Sequence, residues 1–228
     1  MDGRRFPDLP SISLCLAAAL SAGAMACAAA ALAQTGAIMI DLERMTVGGA
    51  PTDFDFARTG SGAIGQWAVV ADATAASGRA IEQTSTDATD YRFPLAVYKP
   101  ATVANVEVTL RFKALTGKVD QAGGIAVRLR DADNYYVVRA NALEDNVRFY
   151  RVVDGRREQL AGADLKVAPN VWHTLGLRAE RDRFAITFNG KELYAATDRT
   201  LSAAGRVALW TKADSVTRFD SIAIKSLP

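Results

Sequence analysis

The 228-residue chain holds one histidine and two cysteines, and its charges nearly cancel: 27 Lys and Arg against 25 Asp and Glu, a formal +2. Any Ser-His-Asp mechanism must use His173, and a metal site needing two imidazoles is excluded. The charge balance gives no electrostatic argument for nucleic acid. Beyond Asp53 no helical apolar period is sustained over ten residues, which excludes a parallel α/β architecture for want of crossover helices. What remains is an ordinary globular composition, 50% hydrophobic and 23% charged. A core of this size needs no disulfide or metal staple.

The N-terminus carries Arg4 and Arg5, then an uncharged alanine- and leucine-rich stretch from Ser11 to Ala33 that ends Ala31-Leu32-Ala33. A basic start, an apolar middle and an A-x-A ending describe a secretory signal peptide over residues 1–33, with a periplasmic or secreted destination. A membrane anchor competes. Ala24-Met25-Ala26 before Cys27 also resembles a lipoprotein cleavage site, so lipid anchoring is a minority alternative. Cys15 and Cys27 both leave with the leader, so the exported chain uses no disulfide. Residues 34–52 read as a linker broken by Gly48-Gly49-Ala50-Pro51, and residues 53–228 as one domain.

That domain reads as strands. In Val106-Glu107-Val108-Thr109-Leu110-Arg111-Phe112-Lys113 every even position is apolar and every odd one polar, the pattern of a half-buried strand. Similar runs follow at 125–129, 135–141, 146–153, 171–180, 183–188, 191–196, 205–211 and 218–225. Asp154-Gly155 and Asn189-Gly190 are two-residue hairpin signals. About a dozen short strands at 8–12-residue spacing predict an all-β sandwich or barrel. Pro94 and Pro100 bracket Leu95 to Lys99, which suggests an edge or corner strand.

Several motifs do not carry their usual chemistry. Gly60-Ser61-Gly62-Ala63-Ile64-Gly65 matches G-x-G-x-x-G, but strand-like Gln66-Trp67-Ala68-Val69-Val70 follows instead of a helix, so no nucleotide is expected. His173, beside Trp172 at the start of a strand, reads as structural. No strand offers the paired carboxylates of a glycosidase. Asp131 and Asp133 could bind calcium through oxygen ligands, but a self-capped hairpin is the preferred reading, so no cofactor is expected.

Trp172-His173-Thr174-Leu175 and Phe184-Ala185-Ile186-Thr187-Phe188-Asn189-Gly190-Lys191-Glu192-Leu193 resemble the laminin-G and concanavalin A-like families. So do Gly205-Arg206-Val207-Ala208-Leu209-Trp210-Thr211 and Phe219-Asp220-Ser221-Ile222. Gly124-Ile125-Ala126-Val127-Arg128 with Asp133-Asn134-Tyr135-Tyr136 points the same way, nearest to the bacterial 3-keto-disaccharide hydrolase-like domain. The resemblance covers about Asp53 to Leu227. It implies a two-sheet antiparallel jelly-roll sandwich, often with sugars bound on the concave face. The E-x-D-x-x-E or E-x-D-x-E strand of the family's hydrolases is absent.

If Ile125, Val127 and Leu129 face the core, then Arg128 and Arg130 face outward. The same parity sends Tyr135, Arg139, Arg148, Tyr150 and Trp210 outward. Aromatic faces stack on sugars, and arginine grips carboxylate or sulfate bidentately. These seven residues are the candidate ligand-binding set, and no catalytic residue is assigned. The expected function is non-catalytic binding of a poly- or oligosaccharide, acidic or neutral. The alternatives are a glycoside hydrolase of the 3-keto-disaccharide type and a structural or protein-interaction module of the cell envelope.

Overall fold

A computed structural model describes residues 36–228. The expected leader, with Cys15 and Cys27, lies outside the described residues. Fifteen strands follow one another: β1 Ile38–Met39, β2 Phe54–Gly60, β3 Trp67–Ala71, β4 Arg79–Gln83, β5 Arg92–Val103, β6 Val106–Thr116, β7 Ala122–Asp131 and β8 Asn134–Asn141. Then come β9 Asn146–Val153, β10 Arg156–Asp164, β11 His173–Glu180, β12 Arg183–Phe188, β13 Lys191–Thr197, β14 Gly205–Trp210 and β15 Val216–Ser226. They form two antiparallel sheets. One runs β13-β12-β11-β6-β15-β4-β3, with β1 also on β15; the other runs β10-β9-β8-β7-β14-β5-β2. Among the described residues the protein is an all-β, two-sheet antiparallel jelly-roll sandwich.

The alternation in the sequence builds the inter-sheet core. Val106, Val108, Leu110 and Phe112 of β6 are fully buried there, against Ile125, Val127, Tyr136, Val138 and Phe149 of the other sheet. Phe184, Ile186 and Phe188 come from β12. Each fully buried side chain of this size contributes about 1.5–3 kcal/mol. Both hairpin signals close two-residue turns. Asp154 and Gly155 have φ of 49° and 72°, and Asn189 and Gly190 have 48° and 79°. A type I′ turn needs positive φ at both central positions, which these residue types adopt at little cost.

Two expectations about organisation give way. The segment read as a linker belongs to the sandwich: β1 pairs with Ala223 and Ile224, and Ile40, Leu42 and Met45 are buried. Asp41 caps the 3-10 turn Leu42–Arg44, and Gly48 and Gly49 exchange backbone hydrogen bonds with Val69. The second concerns Pro94 and Pro100, which lie inside β5, between β14 and β2, rather than at an edge. The Pro94 carbonyl accepts from Thr211 N, so its missing N–H would point past the end of β14, where no ladder bond is lost. Pro100 falls where the β14–β5 register skips from Val97 to Thr102.

Candidate functional site

The seven-stranded sheet buries a second apolar cluster on the face turned away from the inter-sheet core. It contains Phe93, Leu95, Val97, Ala126, Tyr135, Val137, Tyr150 and Trp210. The face is concave because opposite corners of the sheet meet across it. Thr59 of β2 and Tyr135 of β8 are four strand spacings and six residues apart in register, about 27 Å if the sheet were flat. Their hydroxyls are 2.7 Å apart, and Thr59 Oγ1 donates to Ala132 O at 2.5 Å. Likewise the Tyr91 hydroxyl, just before β5, accepts from Arg157 N and donates to Gly155 O in the β9–β10 hairpin. Trp210 Nε1 donates to Tyr135 Oη at 3.3 Å. The Arg157 guanidinium lies 4.4 Å from the Tyr150 ring and 4.8 Å from the Phe93 ring.

The seven sequence-predicted residues therefore separate. Tyr135 and Trp210 lie on the expected face but are wholly buried, bonded to each other inside this cluster. Burial pushes the Tyr135 phenol up to about 12. Arg128 does not face outward. It has φ 50°, the β7–β8 register shifts between Val127 and Asp131, and its side chain turns inward. Nε donates to Ala104 O, Nη1 to Leu201 O and Nη2 to Arg181 O, and the guanidinium lies over the Phe184 ring. One irregular residue reverses the parity of everything after it in a strand. That is why Leu129 joins the concave cluster instead of the inter-sheet core. Arg130, beyond the irregularity, is exposed near the β7–β8 turn.

Arg139, Arg148 and Tyr150 are brought together, with Arg139 and Arg148 directly opposite on β8 and β9. Arg139 Nη2 donates to Glu144 Oε2 at 2.7 Å and to the Tyr150 hydroxyl at 3.1 Å, and Nη1 donates to Asn146 Oδ1. Arg148 pairs with Asp164 across the edge strand. The same rim of the concave sheet holds charged residues that sequence reading missed. Lys212 Nζ bridges Asp120 and Asp90 at 2.9 Å each, and Asn141 Nδ2 donates to Asp120 Oδ1 at 2.7 Å. Asn141 Oδ1 caps the following turn by accepting from the Leu143 and Glu144 amides, which presents Glu144 to Arg139.

The electrostatics of this rim follow from partial burial. Burial raises the Asp120 carboxyl above its ordinary value, and Lys212 only partly offsets it. For Lys212 burial pulls downward, but its bonds to Asp120 and Asp90 win and raise it. Glu144 is pushed up by burial, yet Arg139 and Asn146 hold it below the usual range. The arrangement sets guanidinium, ammonium, amide and carboxylate groups side by side next to the Tyr150 ring, with Arg139, Asn141, Asp120 and Tyr150 themselves buried. Asp90 and Glu144, with side chains 75% and 44% exposed, open it to solvent.

The remaining motifs have structural roles. His173 is buried against Phe112 and Phe188; Asn189 Nδ2 donates to its Nδ1, which leaves Nε2 to donate to Ala168 O. Asp131 Oδ1 accepts from Asp133 N and Asn134 Nδ2, a self-capped turn. The glycine-rich stretch 60–65 connects β2 to β3 with no helix between them.

No family model and no curated protein matches the sequence. The fold is similar to solved structures. The carbohydrate binding module CBM66 from Bacillus subtilis is 22% identical with a TM-score of 0.59, over 75% of this chain and 95% of the module. A β-glucanase from Bacillus licheniformis is 11% identical with a TM-score of 0.55, over 86% of this chain and all of the enzyme. The VIP36 exoplasmic/lumenal domain, in its calcium- and mannose-bound form, is 14% identical with a TM-score of 0.54, over 77% of this chain and 83% of the domain.

Proposed function

We propose that the protein is an exported carbohydrate-binding sandwich that recognises an oligosaccharide at the Arg139–Lys212 rim of its concave sheet without hydrolysing it. The observation that carries this reading is the rim itself. Arg139, Glu144, Asn141, Asp120 and Lys212 form a hydrogen-bonded row beside Tyr150, opening to solvent through Glu144 and Asp90. Sugar hydroxyls need paired donors and acceptors that are already oriented, plus an aromatic or apolar surface for their C–H faces. Arg139, Arg148 and Lys212 favour a ligand bearing carboxylates, since a guanidinium binds a carboxylate bidentately. The likeness to a carbohydrate binding module and to a mannose-bound lumenal domain supports the same class of ligand. Export rests on the leader read in residues 1–33.

Titration calorimetry with neutral and uronate-containing oligosaccharides tests it. Binding of a uronate oligosaccharide should weaken about 10- to 100-fold in Arg139→Ala, the loss of one charge-assisted contact. Arg148→Ala should weaken it too, while an apolar substitution at distant Val171 leaves it unchanged. No binding to either class at millimolar concentration refutes the proposal. Release of a free sugar from a 3-keto-glycoside would replace it with the hydrolase reading.

A further inference from the structure

A separate cleft of about 590 Å³ opens at another part of the sandwich, lined by Asn105, Arg128, Arg181, Asp182, Arg199 and Ser202. We propose that it binds a tetrahedral oxyanion, a phosphate or sulfate group, between Arg128 and Arg181. Arg128 is 1% exposed. Its three hydrogen-bond acceptors are the carbonyls of Ala104, Leu201 and Arg181, all neutral. The one carboxylate in the lining, Asp182, is already held by Arg199 at 2.7 Å. A buried guanidinium whose hydrogen-bond acceptors are all neutral is costly, and burial lowers its pKa from the ordinary value, with Tyr136 and Asp182 offsetting this only in part. An anion in the cleft would supply the missing charge.

Arg181 supports this independently. It is exposed, its side chain has no ion pair among the described residues, and its φ is 54° in the tight β11–β12 turn. The two neighbouring hairpins put Asp-Gly and Asn-Gly at such turns, residue types that adopt this conformation easily. An arginine there is strained, and strain of this kind is retained where a site uses it. Its carbonyl accepts from Arg128 and its amide donates to Asn105 Oδ1, so the turn is locked to the wall of the cleft. A smaller adjoining cleft shares Arg181 and Asp182; its other arginines, Arg178 and Arg183, are already paired with Glu107, Glu180 and Glu192, so among the described residues Arg181 is the guanidinium there without an ion pair. Guanidinium groups facing a partly desolvated space suit an oxyanion better than a neutral sugar.

The test is calorimetry and thermal unfolding of the protein with inorganic phosphate, glucose 6-phosphate, acetate and chloride at matched ionic strength. Phosphate should bind saturably and raise Tm, with acetate and chloride doing neither. Arg181→Gly should keep or raise the ligand-free Tm, because glycine relieves the positive φ, while phosphate affinity falls at least about tenfold. Arg139→Ala, at the sugar rim, should leave phosphate binding unchanged, so the two sites fail separately. Binding of glucose 6-phosphate as well as phosphate supports an esterified ligand. Binding of phosphate alone supports the site and assigns it to the free ion. Equal shifts with chloride, or full phosphate affinity in Arg181→Gly, overturn the proposal.

Discussion

Replacing Tyr135 by phenylalanine tests whether the concave sheet encloses a dry second core. The phenol bonds Thr59 Oγ1 at 2.7 Å and Trp210 Nε1 at 3.3 Å, and all three side chains are wholly buried. In Tyr135→Phe the ring still fills its space, and Thr59 keeps its bond to Ala132 O. The Trp210 N–H loses its partner. A buried donor left unpaired costs about 1–3 kcal/mol, so a loss near 2 kcal/mol is expected. For a domain of this size each kcal/mol moves Tm by about 2–4 °C, which gives a fall of about 4–8 °C. Urea and thermal unfolding would measure it. A double-mutant cycle with Thr59→Val should show a coupling of at least about 0.5 kcal/mol, because the two groups touch. A Tyr135→Phe change under about 0.5 kcal/mol with additive behaviour would mean that water reaches the phenol. The two corners of the sheet would then not close on each other, and the concave face would be open to water.

Two further predictions follow from the packing. Leu42→Ala should destabilise the protein by about 2–4 kcal/mol in chemical denaturation, a cost that a residue in a free linker would not show. On the outer face of the eight-stranded sheet, burial alone would raise the Asp72 carboxyl, but Lys113 at 2.5 Å, Thr74 and Arg218 hold it far below its ordinary 3.8. A depressed folded-state pKa stabilises the fold above 3.8 and is lost as pH falls below it. Asp72→Asn should therefore flatten the fall of stability between pH 4 and 2, read from Tm against pH; an unchanged slope would exclude this carboxylate as a cause.

Most strands were legible because both kinds of local signal agreed. The alternation over Val106 to Lys113 and the Asn-Gly and Asp-Gly turns fix register and chain reversal within a few residues of sequence. Parity failed at Arg128, where one residue with positive φ turns the strand over, and no residue type there announces it. Ile38, Ile40 and Leu42 were too short a run, too close to Gly48-Gly49, to reveal a strand completed by residues near 224. The rim was only half visible. Arg139, Arg148 and Tyr150 share a face within one hairpin, which sequence spacing can show. Asp90, Asp120 and Lys212 come from the approaches to β5 and β7 and from the end of β14, and only strand order brings them together.

The strand order also governs when the molecule can fold. The last two strands lie in the middle of the sheets: β14 between β7 and β5, and β15 between β6 and β4. Until residues 205–226 are delivered, each sheet is two unconnected halves with open edges on the missing strand. Loop closure over such distances is slow compared with forming the local hairpins. A chain emerging N-terminus first therefore stays unable to complete either sheet until nearly all of it is available. That timing makes any truncation before β14 far more damaging than its length suggests.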